Sequence, residues 1–186
     1  MRAVKDAEFL INWVDKLGLI CEPQNKIGFL GSSYFLGIIT SMLFVPALSD
    51  TYGRKKIFCI TMMVSLIGQY GLITSDSLYK STLYMILVGM TWPGKRVTGL
   101  NYILEFLPEH LQKQYITVFT LFDYPSILFI SLYYQYVNPD WYPMQALGVV
   151  LSAICLAYCL VLMPESPKFR YLRQDFESVR DTVAWI

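Results

Sequence analysis

The sequence predicts an all-α membrane protein: five membrane-spanning helices followed by an amphipathic helix. Three observations carry the prediction. The 186 residues are 55% hydrophobic and only 16% charged, and the apolar residues gather in runs instead of spreading evenly. Ile27 to Ser49 holds 23 residues without a charge, and Ile57 to Ser75 holds 19. At 1.5 Å per residue each run spans a hydrocarbon core of about 30 Å. Between them lies the short link Asp50-Thr51-Tyr52-Gly53-Arg54-Lys55-Lys56, a tight turn ending in three basic residues. Gly53 supplies the backbone freedom such a turn needs, and the positive-inside rule puts the basic cluster on the cytoplasmic or matrix side.

In chain order, residues 1–26 form a lead-in on the non-cytoplasmic side. Arg2, Lys5, Asp6, Glu8, Asp15, Lys16 and Glu22 interleave there with Phe9, Leu10, Ile11, Trp13 and Val14, which is not the pattern of a cleavable signal. Residues 27–163 form the bundle, with spans at Ile27–Leu48, Ile57–Ser75, Ser81–Leu104 (interrupted by Pro93, Lys95 and Arg96), Gln114–Val137 and Trp141–Met163. Short links make sequence neighbours antiparallel. Outside the spans, eight Lys and Arg (54, 55, 56, 113, 168, 170, 173, 180) fall on the Arg54 side and five (2, 5, 16, 26, 80) on the other, which agrees with the loop's orientation. Tyr133, Tyr134, Tyr136, Trp141 and Tyr142 crowd the turn between the last two spans, as an interfacial belt does. Pro164-Glu165-Ser166-Pro167 then stops the fifth span. Residues 164–186 read as a surface helix, with Phe169, Leu172, Phe176, Val179, Val183 and Ile186 at spacings of 3 and 4.

Leu48, Ser49, Asp50, Gly53, Arg54 and Lys55 match the pattern Gly-x-Leu-(Ser/Ala)-Asp-Arg-x-Gly-Arg-Lys. The loop therefore resembles the one between the second and third helices of the major facilitator superfamily. Pro46 stands where that pattern has glycine, and Thr51 where it has a basic residue. Within the superfamily the chain is most similar to the organic cation and carnitine transporter group. Cys21 lies 29 residues before Asp50; Gly89, Gly99, Glu105 and Pro108 fit the group's fourth helix; Asp140-Trp141 with Gln145 fits the start of its sixth. Pro164-Glu165-Ser166-Pro167-Lys168-Phe169 fits the sequence Pro-Glu-Ser-Pro-Arg-Trp that ends the sixth. The resemblance implies family helices 2 to 6, with no counterpart of helix 1 or of the C-terminal half. It also implies that Asp50 lacks its usual arginine, since Met85 occupies that position, and that Gln112 replaces a family arginine. In the family the loop aspartate also reaches a helix of the second half, forming a latch.

Lys95, Arg96 and Asp123 are the charges inside the expected spans. An ionisable group at membrane depth costs about 2.5–3.5 kcal/mol on insertion scales unless it finds water or a partner. Arg96 lies eight residues from the inner end of its span and Asp123 nine from the inner end of the next, so helix rise puts both about 12–14 Å deep. Three roles stand open: a structural ion pair, a substrate or proton-coupling site (helix 4 of the resembled superfamily lines its cavity), and snorkelling of Lys95 to the interface. Gly28, Gly31 and Gly37 with Ser32, Ser33 and Ser41 put small residues along the first span, permitting close helix approach.

No glycine-rich phosphate loop, His/Cys metal set or nucleophile–base pair is present in the sequence, so no enzyme, catalytic residue, metal or cofactor is expected. Cys155 and Cys159 share a helix face inside a span and read as packing residues. A net charge of +1 gives no reason to expect nucleic acid. Two functions remain. The first is half of a facilitator-type carrier for a small organic ion or similar solute, acting only within a larger membrane assembly. The second is a non-transporting structural subunit of a membrane complex, such as a respiratory assembly. Either resides in the plasma membrane or the mitochondrial inner membrane, with other polypeptides covering the 28–41 face and the face of the helix carrying Asp123.

Overall fold

The computed structural model describes residues 16–19, 22–138 and 140–185, so most of the expected lead-in lies outside the described residues. In chain order the helices are α1 (Gln24–Met42), α2 (Val45–Tyr52), α3 (Arg54–Thr74), α4 (Leu78–Met90), a π-helical turn (Gly94–Thr98) and α5 (Gly99–Leu104). Then come α6 (Glu109–Asp123), α7 (Ser126–Tyr136), α8 (Tyr142–Val161), α9 (Pro167–Leu172) and α10 (Phe176–Trp185). Among the described residues there is no strand.

Among the described residues, three segments are long and apolar enough to cross a bilayer unaided: α3, the α6–α7 pair (Glu109–Tyr136, 28 residues) and α8. A fourth is the α1–α2 pair, bent by 41°. The bend falls where Pro46 enters the first turn of α2, a position that tolerates its missing N–H. The expected third span, Ser81–Leu104, is interrupted at the Pro93, Lys95 and Arg96 positions the sequence marked, and as two helices it does not join that count. Pro93 cannot donate to the turn before it, and the π-helical turn carrying Lys95 and Arg96 separates α4 from α5. The expected single surface helix over 164–186 is likewise two. Gln174 turns left-handed (φ 61°) after α9. The amides of Gln174 and Asp175 bond back to Tyr171 O at 3.0 Å and Arg170 O at 3.2 Å, closing a Schellman motif.

α3 is the hub, packing against α2, α4, the π-helical turn and α8, while α1 lies along α4. The α1–α4 contact is backbone on backbone. A Cβ on Gly37 would sit 2.2 Å from Ile86 O, and one on Gly89 would sit 2.1 Å from Tyr34 O. Ser33, Ser41, Ser65 and Ser81 are fully buried, and Ser33 and Ser41 return their hydroxyls to their own helix at Leu30 O (2.6 Å) and Gly37 O (2.8 Å). Small, self-satisfied residues thus bring helices close where lipid supplies no hydrophobic drive. This corrects the expectation that the whole 28–41 face awaits another chain: Ser33, Gly37 and Ser41 are buried within this chain. Gly28, Gly31 and Ser32 remain exposed.

Toward the Arg54 end, Cys59, Tyr102 and Cys159 form a buried cluster walled by Phe58, Phe106, Leu156 and Met163. The Cys59 and Cys159 sulfurs touch at 3.5 Å, whereas Cys155 is exposed. By contrast, α6 and α7 contain no buried residue.

Candidate functional site: a capped charge network and an interior ion pair

The basic loop is where three segments distant in sequence meet. Gly53 adopts φ 111°, a region disfavoured for residues with a side chain. A Cβ there would lie 2.8 Å from Glu165 Oε2. Glycine is therefore required twice, by the turn and by the carboxylate pressed against it. With no side chain to cap α3, the Lys55 amide donates to Glu165 Oε1 at 2.9 Å. The exchange is reciprocal, because Lys55 Nζ donates to Met163 O (2.6 Å) and Leu160 O (3.3 Å) at the end of α8. A carboxylate thus meets the positive end of α3, and an ammonium meets the negative end of α8.

Beside this pair, Arg54 reaches Glu105 Oε1 at 2.9 Å and Asp50 Oδ1 at 3.3 Å. The Arg54 and Glu105 side chains are 17% and 10% exposed and that of Asp50 69%, so the Glu105 contact is the stronger and less screened of the two. Asp50 is therefore not left without a cation: Arg54, four residues on across the Gly53 turn, reaches it. The Ser166 hydroxyl donates to Glu105 Oε2 and accepts from Phe169 N at 3.2 Å, which caps α9. The Tyr102 hydroxyl donates to Pro164 O, and Arg173 Nη2 donates to Thr51 O at 2.7 Å. Pro164 and Pro167 flank the two residues, Glu165 and Ser166, that make the side-chain contacts. An open cleft of about 750 Å³ adjoins, lined by Arg54, Glu105, Glu109, Lys113 and Lys168 among others. Glu105, which binds both Arg54 and Ser166, was left out of the site by sequence reasoning. Its signal was its place in the fourth-helix pattern.

The second locus is the π-helical turn. Arg96 Nη1 pairs with Asp123 Oδ2, and the Arg96 guanidinium lies 5.1 Å from the centroid of the Phe119 ring. These contacts tie the end of α6 to the bundle. At its other end, Gln112 Nε2 donates to Leu104 O (3.1 Å) and Leu107 O (3.0 Å). Lys95 goes elsewhere: its Nζ donates to the buried Ser65 Oγ at 2.9 Å, which also accepts from Gln69 Nε2 at 2.9 Å. Lys95 is therefore not with Arg96 and Asp123, and it pairs with no carboxylate among the described residues.

Fold and charge placement define an integral, multi-pass, all-helical membrane protein with ion pairs at one helix end and inside the bundle. The profile of the family described as "Sugar (and other) transporter" matches residues 9–186, and the chain belongs to that family. It is 25% identical over 181 residues to solute carrier family 22 member 4 of Mus musculus, covering 94% of this chain and 32% of that protein. It is 23% identical over 169 residues to organic cation/carnitine transporter 2 of Homo sapiens, covering 91% and 30%. The niacin transporter NiaP of Acinetobacter baylyi is 22% identical over 161 residues, covering 86% and 36%. The chain thus spans about a third of the length of these curated relatives. One is named as a solute carrier and two as transporters, and the chain is a transporter-derived membrane protein.

Proposed function

We propose that this chain is one part of a facilitator-type carrier for a small organic ion and works only when another membrane polypeptide completes it. The observation that carries the reading is the α6–α7 segment. It is 28 residues long and apolar, buries nothing, and yet holds Asp123 in an ion pair with Arg96. A charged group on a helix open to lipid is costly, and a covering polypeptide removes that cost. The solute path then runs beneath the cover, past the π-helical turn that carries Lys95 and Arg96. The relatives' names extend the reading to organic cations, carnitine or niacin as the kind of solute. The basic loop and Lys168 to Arg173 lie on the cytoplasmic or matrix side. The chain alone performs no chemistry and takes no cofactor.

One observation favours the second reading, a non-transporting structural subunit. The network of Arg54, Lys55, Glu105, Glu165 and Ser166 closes within the chain and holds three segments together without help. The deciding experiment has two arms. Native mass spectrometry of the gently solubilised complex is expected to show the chain bound to a second membrane polypeptide. Liposomes containing the purified chain alone, offered organic cations, carnitine and sugars, are expected to show no saturable uptake. Uptake by the isolated monomer overturns both readings, whereas an assembly that moves no solute selects the structural one.

A further inference from the structure

We propose that Lys95, with Ser65 and Gln69, forms an anion subsite that receives the carboxylate of a small organic solute. The inference rests on the carrier reading above and adds to it the class of the solute. It begins from the charge balance inside the bundle. Among the described residues three charged side chains lie there; Arg96 and Asp123 neutralise each other, which leaves Lys95 as a surplus cation. Lys95 lies nine residues before Leu104, the end of α5, so helix rise puts it roughly 13 Å from the inner end. Its only polar contact among the described residues is the Ser65 hydroxyl. A neutral hydroxyl does not balance an ammonium removed from water, and intramembrane cations normally find an anion.

The surroundings match a carboxylate in chemistry and in rigidity. Ser65 is fully buried and is also held by Gln69 Nε2 at 2.9 Å, so the group that orients Lys95 is itself fixed. The ammonium has three N–H bonds, of which one goes to Ser65. The remaining two, on a partly exposed side chain, are available to two carboxylate oxygens in charge-assisted hydrogen bonds. The backbone at this point is also irregular. Lys95 sits in the π-helical turn, which also contains Thr98 Oγ1, the one buried side-chain polar atom without a hydrogen bond among the described residues. Such π-helical turns recur at functional sites. An organic cation finds no complement at Lys95, because Arg96 already occupies Asp123.

The test uses the full chain in lipid nanodiscs, with radiolabelled benzoate as a minimal carboxylate and benzamide as its uncharged isostere. Equilibrium dialysis is expected to show saturable benzoate binding that benzamide does not displace. Lys95→Gln is expected to weaken it tenfold or more, Lys95→Arg to retain most of it, and Ser65→Ala to weaken it several-fold. Benzoate binding that Lys95→Gln leaves unchanged, or none in the wild-type chain, overturns the proposal. If Lys95→Gln instead releases a copurifying membrane polypeptide, the counter-anion is an acidic side chain of that polypeptide; the solute proposal fails while the assembly reading stands. A chain that binds benzoate through Lys95 but has no partner by native mass spectrometry keeps the subsite and sinks the assembly reading.

Discussion

Glu165 offers the sharpest test of the inner-end network, because its two carboxylate functions separate in two variants. Its Oε1 accepts the Lys55 amide at 2.9 Å and the Ser166 amide at 3.2 Å, and it faces the positive end of α3. Glu165→Gln keeps an acceptor oxygen in place but removes the charge, so the loss is the charge–helix interaction, about 1 kcal/mol in a partly buried setting. Glu165→Ala also leaves the Lys55 amide without its partner. A hydrogen bond to a charged group contributes about 1.5–3 kcal/mol, so the alanine variant loses about 3 kcal/mol. For a chain of this size about 1 kcal/mol corresponds to roughly 2–4 °C in Tm. Thermal unfolding in detergent, followed by tryptophan fluorescence, is expected to show a drop of roughly 2–4 °C for glutamine and 6–12 °C for alanine. Equal shifts for the two, or none for alanine, refute the capping of α3 by Glu165.

Three further predictions concern other elements. Asp123→Asn and Arg96→Gln each strip a partner from the interior pair; each is expected to lower stability by about 2–4 kcal/mol, with the double variant losing less than the sum. Additive losses in that thermodynamic cycle refute the pair. Gln174→Gly relieves a left-handed residue at the end of α9 and is expected to raise Tm, the relief being about 1 kcal/mol; an unchanged Tm refutes the Schellman reading. Hydrogen bonds from Ser178 hold the Asp175 carboxyl below its ordinary range. A lowered folded pKa gives stability that is present above the unfolded value and lost as pH falls through the folded one. Protection of the Ser178 amide from hydrogen exchange is therefore expected to fall with acid in the wild type and to be flat with pH in Asp175→Asn.

The apolar helices and the interruption at Pro93 were legible in the sequence because hydropathy and proline act locally. Pro46, Pro93 and Pro125 each stand at a bend or a helix start, and Pro164 follows the end of α8. What was not legible required the third dimension. Pro93 alone did not tell that the expected third span would turn π-helical, since that depends on how the chain around Lys95 and Arg96 packs against α3. The resemblance gave Asp50 no arginine at Met85, and which residue of the basic cluster would reach it depended on the Gly53 turn, which brings Arg54 to it. Glu105 read as part of a pattern, not as a ligand for Arg54, because 51 residues separate the two in sequence. The stripe from Gly28 to Ser41 read as one face, but helix twist sends Ser33, Gly37 and Ser41 into α4 and leaves Gly28 and Gly31 outside.

Lys95 is also where the two functional readings part company, and a stability measurement separates them. At the inner end, Arg54 and Lys55 each find carboxylates or helix-end carbonyls, so removing any of them leaves something unsatisfied. Lys95 is different: its loss frees only the Ser65 hydroxyl, which keeps its bond from Gln69. Replacing an unbalanced interior charge by an apolar side chain of similar length is often stabilising, by about 1–4 kcal/mol. Lys95→Met in the empty chain is therefore expected to raise Tm, by roughly 2–4 °C for each kcal/mol gained. A residue that lowers the stability of the empty state persists where function depends on it, so the same variant is expected to lose benzoate binding. A fall in Tm with Lys95→Met refutes this reasoning, because it means the ammonium is already satisfied and stabilises the bundle as a structural element.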